Sequence, residues 1–147
     1  THGIQALDLL GRKVTMDGGA GLQLLGGRIS ATIERAGHVP AWATHANALA
    51  SALQSLGAAT KAAWATGVPE DALANATPYL QAFGHVVIAW VWLDVALAAQ
   101  GRNDDAAQGR LAAARYFFAY ELPKIGAWLA VVSAREAVCR EMKEGWF

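Results

Sequence analysis

An all-α bundle of four main helices is the fold this sequence predicts, and three observations predict it. The 147 residues are 54% hydrophobic and 16% charged, with an abundance of alanine that favours closely packed helices. Apolar residues recur at intervals of three and four over long stretches, with start and stop residues between them. No alternating strand pattern of useful length and no internal repeat interrupts those stretches. A domain of this size buries roughly two thirds of the surface its unfolded chain exposes, so it needs no staple.

The elements follow in order. Thr1 to Lys13 (THGIQALDLLGRK) is followed by Val14 to Gly21 (VTMDGGAG), whose charge and glycines Gly18, Gly19 and Gly21 read as a flexible connection and place a boundary at residues 17/18. Leu22, Leu25, Ile29 and Ile33 recur at helical spacing up to Arg35, and Gly37 stops that first main helix. Pro40 suits the first turn of the second, Ala41 to Thr66, because its missing amide donor would be unpaired there anyway. That helix carries Trp42, Ala46, Leu49, Leu53, Leu56 and Trp64 on broadly one side, and Gly57 within it would bend it or admit a close neighbour. Gly67 and Pro69 punctuate the next junction, with a short turn around Glu70 to Ala74. Thr77 as N-cap and Pro78 at the first helical position open a third helix that runs to about Gln100. Gly101 ends it, and Asn103 or Asp104 caps a fourth that reaches toward Ser133 with a kink at Pro123. The tail Ala134 to Lys143 is expected to continue as helix.

Composition excludes several functions. Twelve basic residues balance twelve acidic ones, so no net field draws the chain to nucleic acid or to an anionic membrane. A single cysteine, Cys139, and no secretory signal at the N-terminus point to a cytoplasmic address. The run Ala82 to Ala99 approaches the roughly 20 apolar residues that span a bilayer, but His85 and Asp94 interrupt it, and a central bundle helix can be apolar nearly all round. His85 and Asp94 lie nine steps of about 100° apart, on opposite faces, so they form no catalytic pair; Gln81 is one turn from His85 and within reach of it.

The other candidate residues have plain readings too. His38 and His45 flank Pro40 and have no second pair at ligand spacing, so no metal site is expected. Cys139 has Arg135 and Arg140 nearby but sits alone on a terminal segment, where a thiol is ordinarily inert. The glycines at 18, 19 and 21 follow no strand and complete no dinucleotide fingerprint. Trp90, Trp92, Tyr116, Phe117, Phe118, Tyr120 and Trp128 read as core or interface. Trp90 and Trp92 point about 200° apart, so burying both requires contacts on two sides of their helix, a hint of docking on another domain or subunit. Arg115, Glu121, Lys124, Arg135, Glu136 and Glu141 are spaced for solvated faces or rim contacts, and no residue is assigned a catalytic role.

The opening segment carries a family resemblance. Thr1, Gly3, Ile4, Gln5, Ala6, Asp8, Leu9, Gly11, Arg12 and Lys13 match a run that resembles the closing motif of the acyl-CoA dehydrogenase family, Glu-Gly-Thr-x-Gly-Ile-Gln-Ala-x-Asp-Leu-x-Gly-Arg-Lys. Tyr79 to Ala99 and Ala114 to Ala130 look like the helical extension of a subgroup similar to 3-methylmercaptopropionyl-CoA dehydrogenase. The resemblance implies that residues 1–17 end a catalytic domain and that 18–147 form a C-terminal helical bundle. It implies an FAD-dependent parent in fatty acid metabolism that oxidises an acyl-CoA to a 2-enoyl-CoA and passes electrons to an electron-transferring flavoprotein. The catalytic glutamate would lie two positions before Thr1, so this chain alone is expected to be inactive and to hold no cofactor. Thr1 matches a threonine beside the flavin; Gly3 occupies a neighbouring cofactor-binding position where many relatives carry glutamine. The partners implied are the catalytic domain and a second copy in a homo-oligomer; attachment to a membrane surface, as in some long-chain relatives, is disfavoured by the absence of a basic amphipathic face. The alternative is a free-standing helical module for oligomerisation or docking.

Overall fold

The computed structural model describes residues 3–147, and it is an all-α bundle with no strand among them. A short helix α1 (Ile4–Asp8) runs into a π-helical turn at Leu9–Lys13 and a 3₁₀ turn at Met16–Gly19. Four long runs follow: α2 (Ala20–Gly37), α3 (Ala43–Ala63), α5 (Ala76–Ala99), and a broken fourth made of α6 (Asp105–Tyr116) and α7 (Ile125–Ala134). The short α4 (Pro69–Leu73) lies before α5, and α8 (Val138–Glu141) lies in the tail.

Helix α5 is the hub, packing against α1, α2, α3, α6 and α7, while α3 also packs on α2 and α7. Its buried face is built largely from Ala82, Val86, Ala89, Leu93 and Ala96, all fully enclosed; small residues let neighbouring backbones come close, and Val86 and Leu93 fill the space between. By length and mean hydropathy α5 passes the test for a membrane span, with 33% of its most apolar window buried. Trp90 and Trp92 are both half-buried against the core, and Trp90 Nε1 donates to Thr32 Oγ1 on α2 at 2.9 Å. Both tryptophans thus pack in part on the chain's own core.

Several junctions differ from the sequence expectations for identifiable reasons. Pro40 stands in a turn before α3, at the second position of a turn closed by the Trp42 amide on the Val39 carbonyl at 2.8 Å, where proline's fixed φ is favoured. Burial of Trp42, whose indole donates to Gln100 Oε1 at 2.7 Å, holds the chain there and delays the helix to Ala43. Helix α5 starts at Ala76 with Asn75 as its N-cap position, two residues ahead of the expected Thr77 cap; Pro78 then sits in the first turn, where its absent donor has no partner to lose. Gly57 is an ordinary helical residue with open space where a Cβ would be. The Val14–Gly21 stretch expected as a flexible connection is compact and ends inside α2, with Val14 buried and three successive left-handed residues, Asp17, Gly18 and Gly19.

The fourth run follows its sequence signals closely. Asp104 Oδ1 accepts from the Ala107 amide at 3.0 Å as the N-cap of α6, and Gly101 ends α5 with φ +84°. Around Pro123 the helix passes through a π turn (Phe117–Glu121) and a 3₁₀ turn (Leu122–Lys124) before resuming as α7. The tail does not continue the helix. Arg135 adopts φ 52°, the Glu136 amide reaches back to the Val131 carbonyl, and the Arg135 amide to that of Val132, which is a Schellman stop. Arg135 Nη1 then donates to the Ala62 carbonyl at 2.6 Å, tying that stop to the end of α3.

Candidate functional site

Of the two positions assigned to the cofactor, Thr1 lies outside the described residues. Gly3 caps α1 with φ +79°, a conformation glycine reaches without strain, and a Cβ there would stand 3.4 Å from Thr77 Oγ1 at the start of α5. It therefore offers main chain and no side chain. Beyond it the segment locks onto the bundle: Ala6 and Leu10 are fully buried, Gly11 faces Leu73, and Trp64 Nε1 donates to the Leu10 carbonyl at 3.1 Å. On the outer side Arg12 grips Asp8 with bonds of 2.6 and 3.1 Å, and that pairing holds the Asp8 carboxyl below the usual carboxylate range.

Between this segment and the bundle lies a crevice of about 300 Å³ lined by Leu9, Lys13, Val14, Met16, Gly21, Leu22 and Phe83. Its walls are almost wholly apolar. They do not fit FAD, which brings a pyrophosphate and a long ring system, and no flavin step is derived from this chain.

A second cluster sits where the fourth helix breaks. His85 Nδ1 meets the Gln81 carbonyl at 3.0 Å and Nε2 meets Glu121 Oε2 at 3.2 Å, so a ring carrying both protons satisfies both acceptors. Lys124 Nζ donates to both Glu121 oxygens at 2.9 Å, and Trp128 and Phe117 pack on the imidazole at 4.8 and 5.6 Å between ring centres. Lys124 first, and His85 after it, hold the Glu121 carboxyl below its ordinary range. The i, i+3 pairing of Glu121 with Lys124 was legible from spacing; the link to His85, on another helix, was not. Asp94 instead pairs with Arg35 of α2 at 2.7 Å, so His85 and Asp94 serve different neighbours.

His45 stands between Trp42 and Phe118, 4.6 and 5.2 Å between ring centres, and its Nδ1 is buried without a hydrogen bond. Burial, with a smaller contribution from the Arg115 charge, lowers its pKa. Tyr79 and Thr60 make a buried hydroxyl pair at 2.7 Å, which periodicity alone did not reveal. Cys139 is exposed beside Arg140, which binds Asp71 and straps the tail to α4. Tyr116 and Tyr120, one helical turn apart, are exposed and stacked at 4.8 Å. Among the described residues no three His, Cys, Asp or Glu side chains gather as a metal set.

These features define a helical bundle domain in which several polar contacts join one helix to another. The chain belongs to the acetyl-CoA dehydrogenase C-terminal like family, whose match spans residues 25–143. It is thus a helical C-terminal domain of the acyl-CoA dehydrogenase kind. No curated protein matches the chain in sequence.

Proposed function

We propose that this domain serves an FAD-dependent acyl-CoA dehydrogenase of the subgroup similar to 3-methylmercaptopropionyl-CoA dehydrogenase, packing on the catalytic body and bordering its acyl entrance. The observation that carries this reading is the family match over 25–143, preceded in the same hydrophobic core by the Gly3–Lys13 segment that resembles the closing motif of the catalytic domain. In this reading the body supplies the glutamate base, the FAD that takes the hydride, and the contact with an electron-transferring flavoprotein in the cytoplasm. This domain supplies shape. Ile4, Leu7, Leu24, Ile88 and Val91 are exposed apolar residues available for the contact. The test is the coding DNA upstream of the Thr1 codon. An in-frame Glu-Gly preceded by a long reading frame with a flavoprotein sequence is the expected result, and a start codon in its place overturns the reading.

The exposed pair Ile88 and Val91, on one face of α5, favours a second reading in which that face meets a second copy of the chain. Sizing at several concentrations tests it: a mass that doubles with concentration supports a self-associating bundle, and a constant monomer mass removes it.

A further inference from the structure

We propose that the crevice between the N-terminal segment and the bundle is a binding site for an aliphatic carboxylate of short to medium chain length. Its volume, about 300 Å³, stands at the lower end of the range for small-molecule sites. Three parts of the fold build it: Leu9, Val14 and Met16 from the N-terminal segment, Leu22 from the first turn of α2, and Phe83 from α5. None of those five side chains carries a conventional hydrogen-bonding group, so the body of the ligand must be hydrocarbon to gain from burial there. Gly21 brings no side chain to narrow the opening, and a Cβ at that position would meet nothing within 4 Å.

The head group follows from charge. Lys13 is the one ionised side chain of the lining, and that side chain is more than half exposed. The carboxylate nearest to it, Asp8, is 3.8 Å away and already held by Arg12 through two shorter bonds, so two cations share one anion. The first turn of α2 opens beside Lys13 without a side-chain cap and adds positive potential of the same sign. A neutral hydrocarbon would gain nothing from that charge, and a polyanion such as a nucleotide would press hydrated phosphates against Leu9, Leu22 and Phe83. One negative charge on an alkyl tail answers both parts of the site.

The test is a titration of the full chain with octanoate, followed by backbone amide NMR shifts. Saturable shifts concentrated at Leu9, Val14, Gly21 and Phe83 are expected. Lys13→Glu should weaken binding about tenfold and Lys13→Arg should retain it, while octanol, with the same tail and no charge, should bind several-fold more weakly. Leu22→Trp, which fills the crevice from a half-buried position, should abolish the shifts; far-UV circular dichroism establishes that each variant is folded. Shifts scattered over the surface, no saturation at millimolar octanoate, or equal affinity in Lys13→Glu would each overturn the proposal.

Discussion

At the scale of single residues, two buried polar groups carry opposite consequences. Tyr79 is fully buried and its hydroxyl has one partner, Thr60 Oγ1, which itself donates to the Leu56 carbonyl at 2.8 Å. Tyr79→Phe removes one hydrogen bond and leaves Thr60 satisfied, so it should cost about 1 kcal/mol. Thr60→Val strands the phenol in the core and should cost about 2 kcal/mol, a difference that urea unfolding of the two variants will resolve. Burial raises the Tyr79 pKa above the ordinary tyrosine value of 10.0, so the stability linked to it is complete below that value and falls as pH rises past it. His45 works the other way at acid pH. Its pKa is lowered in the fold, so the unfolded chain binds the extra proton first, and stability falls as pH drops through the unfolded histidine value of 6.5. Replacing His45 with Leu should flatten the stability profile between about pH 7 and about pH 5, measured by thermal unfolding; an unchanged slope would place the acid sensitivity elsewhere.

At the scale of elements, the starts and stops that depend on local chemistry were readable in advance, and those that depend on distant contacts were not. Gly37, Gly101 and Asp104 act within one turn of themselves, and each marks an end where it was expected. Arg135 does not announce a stop, because arginine favours helix; only the Ala62 carbonyl, 73 positions away, gives its side chain a reason to turn. The same holds for the clusters: His85 with Glu121, and Asn75 with the Glu136 carbonyl, join residues whose proximity exists only after packing. The Gly3 position rested on motif resemblance, and spacing alone would not have singled it out. Arg135 offers a test of this account. Arg135→Gly loses the bond to Ala62 but relieves the left-handed backbone, whereas Arg135→Ala loses the bond and keeps the strain. The alanine variant should therefore be less stable than the glycine variant by about 1 kcal/mol in denaturant titration. Equal stabilities would mean that the turn is not held in the left-handed region.

At the scale of the molecule, the N-terminal segment and the four helical runs share one core, since Ala6, Leu10 and Val14 belong to the same buried cluster as Leu49, Val86 and Leu129. Leu10→Ala should then lower the stability of the entire chain by about 2–5 kcal/mol and shift a single unfolding transition seen alike by tryptophan fluorescence and circular dichroism. Two separate transitions would show a segment that melts on its own. The hub position of α5 has a further consequence for the order in which the chain is made. On the ribosome α2 and α3 leave the exit tunnel before α5, and α6 and α7, which cover another side of it, leave after it. For that interval the nascent chain displays a 24-residue apolar helix long enough for a translocation machinery to capture. Asp94, which Arg35 of α2 engages, places a charge inside that helix and raises the cost of inserting it into a bilayer.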